Sequence, residues 1–202
     1  MAAGRCTRWR FGLVLRDLPL CCGLQPSVSY MRILLSETQI AARLDELGRE
    51  LSAAYRGRPL TVVGVLTGSL LFVADLMRKL DVPHQVGFLQ ASSYRSGTQA
   101  GTLTVNREFF PEIADRDVLL IDDIFDTGCT LCTLLELLKN AQPRSLRSAV
   151  LLWKEGTQTV ALQPDYCGFK IPNEFVVGYG LDHDQNYRHL PHIAVLEAGD
   201  LA

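Results

Sequence analysis

The chain has 202 residues, of which 48% are hydrophobic and 21% are charged, so it suffices for one globular domain with at most a small appendage. No apolar run approaches the roughly 18 residues of a membrane span, which argues against a membrane protein. Residues 1–30 carry a net charge of +3 and residues 31–202 a net charge of −5. A mildly acidic body argues against a protein that binds nucleic acid, since such proteins usually have a basic face.

The first 30 residues show no periodicity and differ in composition from the rest of the chain. They contain four arginines and a short apolar patch at residues 11–15, so a targeting segment is one interpretation. We prefer a disordered extension, or upstream sequence translated ahead of a true start at Met31, where an orderly pattern begins. We therefore expect residues 31–202 to form the domain.

Within that domain, helical and strand patterns alternate. Ser36 and Gln39 form a capping-box pattern at the start of a first helix that extends to Gly57. In chain order there follow a strand at 60–66, a turn at 67–69, a helix at 70–80, a strand at 86–90, a small-residue loop at 91–101, strands at 102–105 and 118–121, a helix at 131–140, a strand at 146–153 and a final strand pair at 175–178 and 193–196. This alternation predicts an α/β fold with a mostly parallel sheet.

The most informative segment follows the apolar strand at 118–121. Asp122 and Asp123 come at the predicted end of that strand, and Asp126 precedes a turn at Gly128 and a helical pattern. Carboxylates this close repel one another, so a bound cation or a cationic transition state explains them better than an ordinary turn does. The start of the helix offers free N–H groups to a phosphate. A phosphorylated sugar bound with Mg²⁺ would satisfy both features.

From Met31 to Leu196 the chain resembles the hypoxanthine-guanine phosphoribosyltransferases. Four segments match that family in order, at 66–69, 92–94, 122–131 and 169–188. The resemblance implies the type I phosphoribosyltransferase fold, a mostly parallel central sheet flanked by helices with a small hood contributed by the terminal segments. It also implies a Mg²⁺-dependent purine-salvage reaction, in which a purine base and 5-phosphoribosyl 1-diphosphate (PRPP) give a nucleoside monophosphate and diphosphate.

The resemblance also implies roles for the segment 122–130. Asp122 and Asp123 would hold the ribose hydroxyls, directly and through Mg²⁺, while Asp126 would remove the proton from N7 of the base. The 5′-phosphate would be bound by backbone N–H groups and hydroxyls of the residues that follow, which are Thr127, Gly128, Cys129 and Thr130. Because Cys129 comes at the start of a helix, we expect its thiol to have a lowered pKa and to react readily.

For the pyrophosphate, the resemblance implies binding by the backbone of Thr67, Gly68 and Ser69 and by Arg188. In the family the first of these positions often follows a cis peptide bond that does not precede proline. The family more often has Lys or Arg where this chain has Thr67, so a positive charge near the pyrophosphate is missing. On its own, the Thr-Gly-Ser turn would be interpreted only as a helix cap.

Two further groups of residues complete the site that the resemblance implies. Ser93 and Tyr94 would belong to a lid that excludes water, although the same small polar residues also suit a plain solvated loop. Asp182 would bind a second Mg²⁺. The purine would be bound by Lys154, Phe175 and Val176: the ammonium donates a hydrogen bond to a 6-oxo group, the ring stacks, and the backbone near the valine reads the base edge. As isolated residues, the phenylalanine and valine would be assigned to the core.

Several alternatives stay open. A regulator with this fold that binds RNA or DNA is the alternative of another class, and a transferase for xanthine or a pyrimidine is the alternative within the class. The partners that we expect are small molecules, a 6-oxopurine and PRPP, together with further copies of the chain in a homodimer or homotetramer. We interpret the six cysteines as free thiols of a cytoplasmic protein. Gly178 and Gly180 do not complete a dinucleotide motif, and the four histidines show no metal-binding spacing.

Overall fold

A computed structural model describes residues 31–93, 103–106 and 110–197, and for residues 92, 93 and 103–106 it describes the backbone alone. The chain divides into two units, residues 1–30 and 31–202, and the first unit lies outside the described residues. The predicted extension therefore stays a prediction. Tyr94 of the predicted lid also lies outside the described residues.

The described residues of the domain form three helices and nine strands. The helices are α1 (Glu37–Ala54), α2 (Leu70–Met77) and α3 (Cys129–Lys139). The strands are β1 (Arg32–Leu35), β2 (Leu60–Leu66), β3 (His84–Ser93), β4 (Leu103–Asn106), β5 (Asp117–Phe125), β6 (Ser145–Lys154), β7 (Tyr166–Ile171), β8 (Val176–Val177) and β9 (Ile193–Val195). None of these helices combines the length and the apolar character that a membrane crossing requires.

The main sheet confirms the predicted α/β fold. Its strand order is β4-β3-β2-β5-β6-β7, in which β4 is antiparallel to β3 and all other neighbours are parallel. The carboxyl ends of β2, β5 and β6 therefore meet at one edge, which we call the carboxyl edge. In open α/β sheets, ligands bind at that edge.

Helices cover both faces of this sheet because successive residues of a buried strand point to opposite sides. Val62 of β2 packs in one cluster with Leu47 of α1 and Phe72 of α2, whereas Val63 packs in the other cluster with Leu134 of α3. The helix α1 begins as the sequence predicts, since the Ser36 side chain accepts from the N–H of Gln39 and the Gln39 side chain accepts from the N–H of Ser36. The packing of helices on both faces holds the central strands of the main sheet in place, and the site lies at their carboxyl ends.

A second sheet joins the two ends of the domain. It has three antiparallel strands in the order β1-β9-β8. Arg32, the first residue of β1, forms an ion pair at 2.7 Å with Glu174, which comes just before β8. The prediction of a strand pair near 175–178 and 193–196 is confirmed, but these strands pair outside the parallel sheet. The sequence prediction missed β1, a four-residue strand whose partner lies about 160 residues away along the chain.

The boundaries of the elements around the site also differ from the prediction. We expected β5 to end before Asp122, but it continues to Phe125 because Ile124 and Phe125 pair with Leu152 and Trp153 of β6. The two adjacent carboxylates therefore lie within a strand. The helix α3 begins at Cys129, two residues earlier than expected, and α2 ends at Met77 rather than residue 80. The predicted loop at 91–101 begins in β3, which extends to Ser93.

Candidate active site

A cavity of about 330 Å³ opens at the carboxyl edge of the main sheet. Its walls are the ends of β2 and β5, the start of α3 and a later segment near residue 185. The residues that the sequence singled out and that line this cavity are Thr67, Gly68, Asp122, Asp123, Asp126, Thr127, Gly128, Thr130, Asp182 and Arg188. The fold thus brings together residues from three separate segments.

A second cavity of about 240 Å³ shares Asp123, Asp126 and Asp182 with the first. Its other walls include Lys154, Phe175 and Val176, the residues that were expected to bind a purine. Asp126 lines both cavities, so a ligand could extend from one into the other past this carboxylate.

Of the adjacent carboxylates of β5, Asp122 is buried and Asp123 is half-buried, and Asp123 lies close to the first loop of the site. Asp122 is 6% exposed, and its Oδ1 accepts the N–H of Asp123 at 3.0 Å. Burial raises the pKa of Asp122 well above its ordinary value, and repulsion from Asp123 adds to that shift. Burial also raises the pKa of Asp123. A Cβ atom on Gly68 would lie only 1.6 Å from Asp123 Oδ2, so the carboxylate rests against the glycine backbone.

These carboxylates fit a magnesium ion that is shared with a substrate. Carboxylate oxygen is a hard ligand of the kind that Mg²⁺ prefers, and Mg²⁺ usually takes one or two protein carboxylates and completes its shell with water and phosphate. In the part of the chain that the structure describes, no group of three or more His, Cys, Asp or Glu side chains is arranged to hold a metal alone. The donor set therefore suits an ion that binds together with a phosphorylated ligand.

The loop after β5 turns sharply into α3 at a glycine. Gly128 has φ +86°, and a Cβ atom there would lie 2.5 Å from Val160 Cγ2, so both backbone conformation and space favour glycine. Gly128 has no side chain to cap this helix, and the Thr127 hydroxyl accepts the N–H of Cys129 at 3.4 Å. The next N–H groups of the first turn are available to an anion at the cavity. Cys129 is exposed and does not line the cavity; hydrogen bonds with Thr159 and Thr127 lower the pKa of its thiol.

The loop after β2 contains a cis peptide bond between Leu66 and Thr67, as the resemblance led us to expect. Thr67 and Gly68 line the cavity, but Ser69 does not. The Ser69 hydroxyl is fully buried and donates to the Val65 carbonyl at 2.6 Å, while its N–H points to the same carbonyl at 3.4 Å. Ser69 therefore closes the turn, and the cavity is formed by the two residues before it.

Asp182 and Arg188 form an ion pair at 2.7 Å on the opposite wall of the cavity. The second carboxylate oxygen of Asp182 accepts the N–H of Gln185 at 2.9 Å, and Arg188 also donates to the Gly180 carbonyl at 2.7 Å. Burial raises the pKa of Asp123, and the positive charge of Arg188 opposes that shift. A ligand that carries both a metal ion and phosphate oxygens could bind both members of this pair.

At the second cavity, Lys154 Nζ lies 3.2 Å from Asp126 Oδ2. The lysine is 9% exposed, whereas the carboxylate of Asp126 is 43% exposed. A buried ammonium can only donate hydrogen bonds and an exposed carboxylate can only accept them, so the pair presents both properties to one ligand. Phe175 is half exposed, with its ring edge-on to His183 at a centroid distance of 5.5 Å.

Comparison with known proteins identifies the family. Residues 32–184 match the model of the phosphoribosyl transferase domain, which is most of the described chain. The chain belongs to the phosphoribosyltransferase family. Among solved structures, this phosphoribosyltransferase is similar to a hypoxanthine phosphoribosyltransferase from Staphylococcus aureus, with a TM-score of 0.80 and 39% identity over 85% of this chain and 94% of that chain.

Curated relatives agree with this assignment. The chain is 41% identical to the hypoxanthine phosphoribosyltransferase of Escherichia coli over 81% of its own length and 93% of that protein. It is 42% identical to the bifunctional protein TilS/HprT of Listeria innocua over 82% of its own length, and it spans 26% of the length of that larger protein. The type I phosphoribosyltransferase fold of the main sheet is thus shared with these hypoxanthine enzymes.

Two residues near the phosphoribosyltransferase cavity were missed from sequence. Gly180, which we set aside with an incomplete nucleotide motif, has φ +100°, and a Cβ atom there would lie 2.1 Å from the carbonyl oxygen of Gly68. It therefore lets the segment with Arg188 pack directly on the loop after β2. His183, which we set aside among the histidines, contacts the Phe175 ring. The signal in the sequence was closeness to Asp182, since Gly180 comes two residues before it and His183 directly after it.

Proposed function

We propose that the protein catalyses the Mg²⁺-dependent transfer of the phosphoribosyl group of PRPP to hypoxanthine or guanine, which yields IMP or GMP and diphosphate. The observation that carries the proposal is that Asp126 lines two adjoining cavities, one bordered by the start of α3 and the other by Lys154. The family assignment supports the same reaction.

In this proposal the first cavity binds PRPP. The N–H groups at the start of α3 and the hydroxyls of Thr127 and Thr130 bind the 5′-phosphate, and the backbone of Thr67 and Gly68 binds the pyrophosphate with Arg188. Asp122 and Asp123 hold the ribose hydroxyls and a Mg²⁺ ion, and Asp182 holds a second ion. When bound, Mg²⁺ supplies positive charge that neutralises the departing pyrophosphate.

The second cavity binds the base. As the sugar carbon develops positive charge, the nearby carboxylates stabilise it, as carboxylates do in glycoside hydrolysis. Asp126 accepts the proton from N7 of the purine as the bond to the sugar forms. Phe175 stacks on the ring, and Val176 borders it on the second sheet, which we propose is the hood expected from the family.

Lys154 explains why a 6-oxopurine is favoured. Its buried ammonium donates to the 6-oxo group of hypoxanthine or guanine, which can only accept. The 6-amino group of adenine would place a donor against a donor, and leaving such a buried group without a partner costs about 1–3 kcal/mol. Adenine should therefore be a poor substrate.

The test follows ultraviolet absorbance as purified protein meets PRPP, Mg²⁺ and one base at a time. We expect turnover of hypoxanthine or guanine, little turnover of adenine, and loss of this preference in Lys154→Met. Lys170→Met is the matched control, because Lys170 lies over the Trp153 ring at 4.7 Å and does not line the site. Binding of PRPP without turnover of any base would contradict the proposal and favour the nucleic-acid regulator. Turnover of xanthine or a pyrimidine alone would contradict the proposed substrates.

We also propose that the protein acts in the cytoplasm as a homodimer or homotetramer. The three described cysteines, Cys129, Cys132 and Cys167, are free thiols, which suits a reducing compartment. The oligomeric state rests on the family resemblance. Light scattering coupled to size-exclusion chromatography tests it, and a monomer at micromolar concentration would contradict it.

A further inference from the structure

A short segment after β6 contacts the loop that joins β5 to α3, residues 126–128, on the side away from the cavity. We call this loop the phosphate loop because we propose that it binds the 5′-phosphate. We call residues 157–160 the brace. Thr159 donates its N–H to the Thr127 carbonyl at 3.0 Å, and its hydroxyl reaches the same oxygen at 3.3 Å. The Gln158 side chain donates to the Asp126 carbonyl at 3.0 Å, and the Thr157 hydroxyl donates to it at 3.1 Å. Consecutive brace residues thus bind consecutive carbonyls of the loop.

These contacts fix the direction of the loop's peptide groups. Because a peptide carbonyl and the N–H of the next residue point in opposite directions, carbonyls held on the outer side leave the following N–H groups pointing toward the cavity. The loop's carbonyl oxygens at 126 and 127 are both held in this way. Val160 completes the brace, since its Cγ2 occupies the space that a side chain on Gly128 would need.

Gln158 makes a second contact that links the two halves of the proposed active site. The same side-chain nitrogen also donates to the carbonyl of Lys154, the residue whose ammonium pairs with Asp126. One amide group therefore bridges the backbones of the two residues that face the purine. Phe125 and Trp153 are the last residues that pair between β5 and β6. Asp126 and Lys154 come directly after them, so strand pairing does not join these two residues.

We propose that Gln158 is a positioning residue, which holds the backbones of Asp126 and Lys154 at the separation that purine binding requires. This inference rests on the proposed function. Thr159 positions the part of the loop that we propose binds the 5′-phosphate. Of the loop carbonyls, it binds that of Thr127 and not that of Asp126. The two neighbours therefore affect different substrates: Gln158 affects the base and Thr159 affects PRPP.

Gln158→Glu tests the inference, because it preserves shape, removes the donor and places an acceptor against two carbonyl oxygens. We expect kcat/KM for hypoxanthine to fall about 10- to 100-fold, with a raised KM for the base, because small misplacement of catalytic groups has effects of that size. The dissociation constant of PRPP, measured by calorimetry, should stay within about twofold of wild type, since the contacts of Thr159 remain. Gln158→Ala, which admits water to the carbonyls, should show a smaller change of the same kind.

Thr159→Val tests the expected effect on PRPP binding, and Glu155→Gln is the control. The valine variant loses the hydroxyl bond to Thr127, so we expect PRPP to bind about fivefold more weakly while the KM for the base changes little. Glu155 is exposed on the same turn, and its conversion to Gln should change neither quantity. Melting temperatures of all variants separate these changes from a general loss of folding.

A Gln158→Glu variant with unchanged base kinetics would overturn the inference. Equal losses of affinity for the base and for PRPP would also overturn it, because a residue with only a structural role would weaken both. Wild-type turnover is measured in the same experiment, and its absence would count against the proposed function. A fully active wild type with an indifferent Gln158 would count against the brace alone.

Discussion

Strand β5 carries buried carboxylates near both of its ends, and their surroundings differ. Asp117, at the amino end, is fully buried and forms ion pairs with Arg144 at 2.7 Å and Arg58 at 3.4 Å. Burial alone would raise its pKa, but hydrogen bonds from Ser145 and Arg144 and the charge of Arg58 hold the pKa below its ordinary value. The protein itself neutralises this charge.

At the other end, the buried Asp122 is next to the half-buried Asp123, and burial with repulsion from Asp123 raises the pKa of Asp122. No ion pair within the described residues joins either carboxylate to a cation at 4.0 Å or less. The charge of Asp117 is paired within the fold, whereas we propose that the charges of Asp122 and Asp123 are neutralised by a cation that binds with the substrate. The two ends of one strand therefore differ in whether the protein itself pairs the carboxylates with cations.

The largest expected effect is on catalysis at the carboxyl edge. Asp122→Asn and Asp123→Asn should each lower turnover by about 10²–10³-fold, because each removes a charge that stabilises the transition state. The free energy of unfolding without Mg²⁺ should not fall, since each change removes repulsion between buried carboxylates. Steady-state kinetics and urea unfolding of the same preparations check both. Loss of stability parallel to loss of activity would contradict the distinction between the two ends.

The next effect is on stability at the amino end. Asp117→Ala should lower the free energy of unfolding by about 3 kcal/mol, because it removes the partner of two arginines and leaves their donors without an acceptor. The turnover per folded molecule should stay near wild type, since Asp117 is at the opposite edge of the sheet from the cavity. Chemical denaturation with activity measured well below the transition checks this. Arg147→Ala is a control on β6, because that arginine contacts Tyr166 rather than Asp117.

How well the sequence predicted these regions depends on how local their signals are. The buried strand β5 and the capping box of α1 have signals within a few residues, and both were predicted, although the end of β5 was not. Where β5 ends depends on its pairing with β6, and the sequence of β5 alone gives no information about that pairing. β7 was missed because Gly168 interrupts its apolar pattern; the glycine is needed there because a Cβ atom would lie 2.5 Å from the Leu151 carbonyl oxygen.

The prediction of the site residues also depended on how local their signals are. The segment with Asp122, Asp123 and Asp126 was recognised because its charges are adjacent in sequence, and the family resemblance supplied Lys154 and Arg188. Gln158, by contrast, is a plain polar residue whose proposed role depends on its hydrogen bonds to two carbonyls, one of them in the loop after β5. Backbone acceptors leave no trace in the sequence, so contacts of this kind cannot be predicted from it.

The two ends of β5 should also differ in how stability depends on pH. The raised pKa of Asp122 means that the folded state binds more protons than the unfolded state, so its contribution to stability is lost as pH rises above about 4 through the folded pKa. The lowered pKa of Asp117 means that its contribution is present above about pH 4 and is lost as pH falls through the folded pKa.

Urea unfolding between pH 3 and pH 7, without Mg²⁺, measures this difference. Relative to wild type, Asp122→Asn should gain stability as pH rises, whereas Asp117→Asn should lose it, with both differences smallest in acid. A shift of the same sign in both variants would show that the two ends are electrostatically alike.

The last expected effect is a difference in reactivity between two thiols. Hydrogen bonds with Thr159 and Thr127 lower the pKa of the exposed Cys129, whereas burial raises the pKa of Cys167 on β7. Because the thiolate is the reactive form, iodoacetamide at neutral pH should modify Cys129 before Cys167, as peptide mass spectrometry can follow. We expect the modification to inactivate the enzyme, since a bulky group at the start of α3 would obstruct the phosphate loop, and PRPP should slow it. Cys129→Ser should stay active and resist the reagent. Full activity after confirmed modification of Cys129 would show that this thiol is not part of the phosphate site. Equal reaction rates at Cys129 and Cys167 would contradict the opposite pKa shifts.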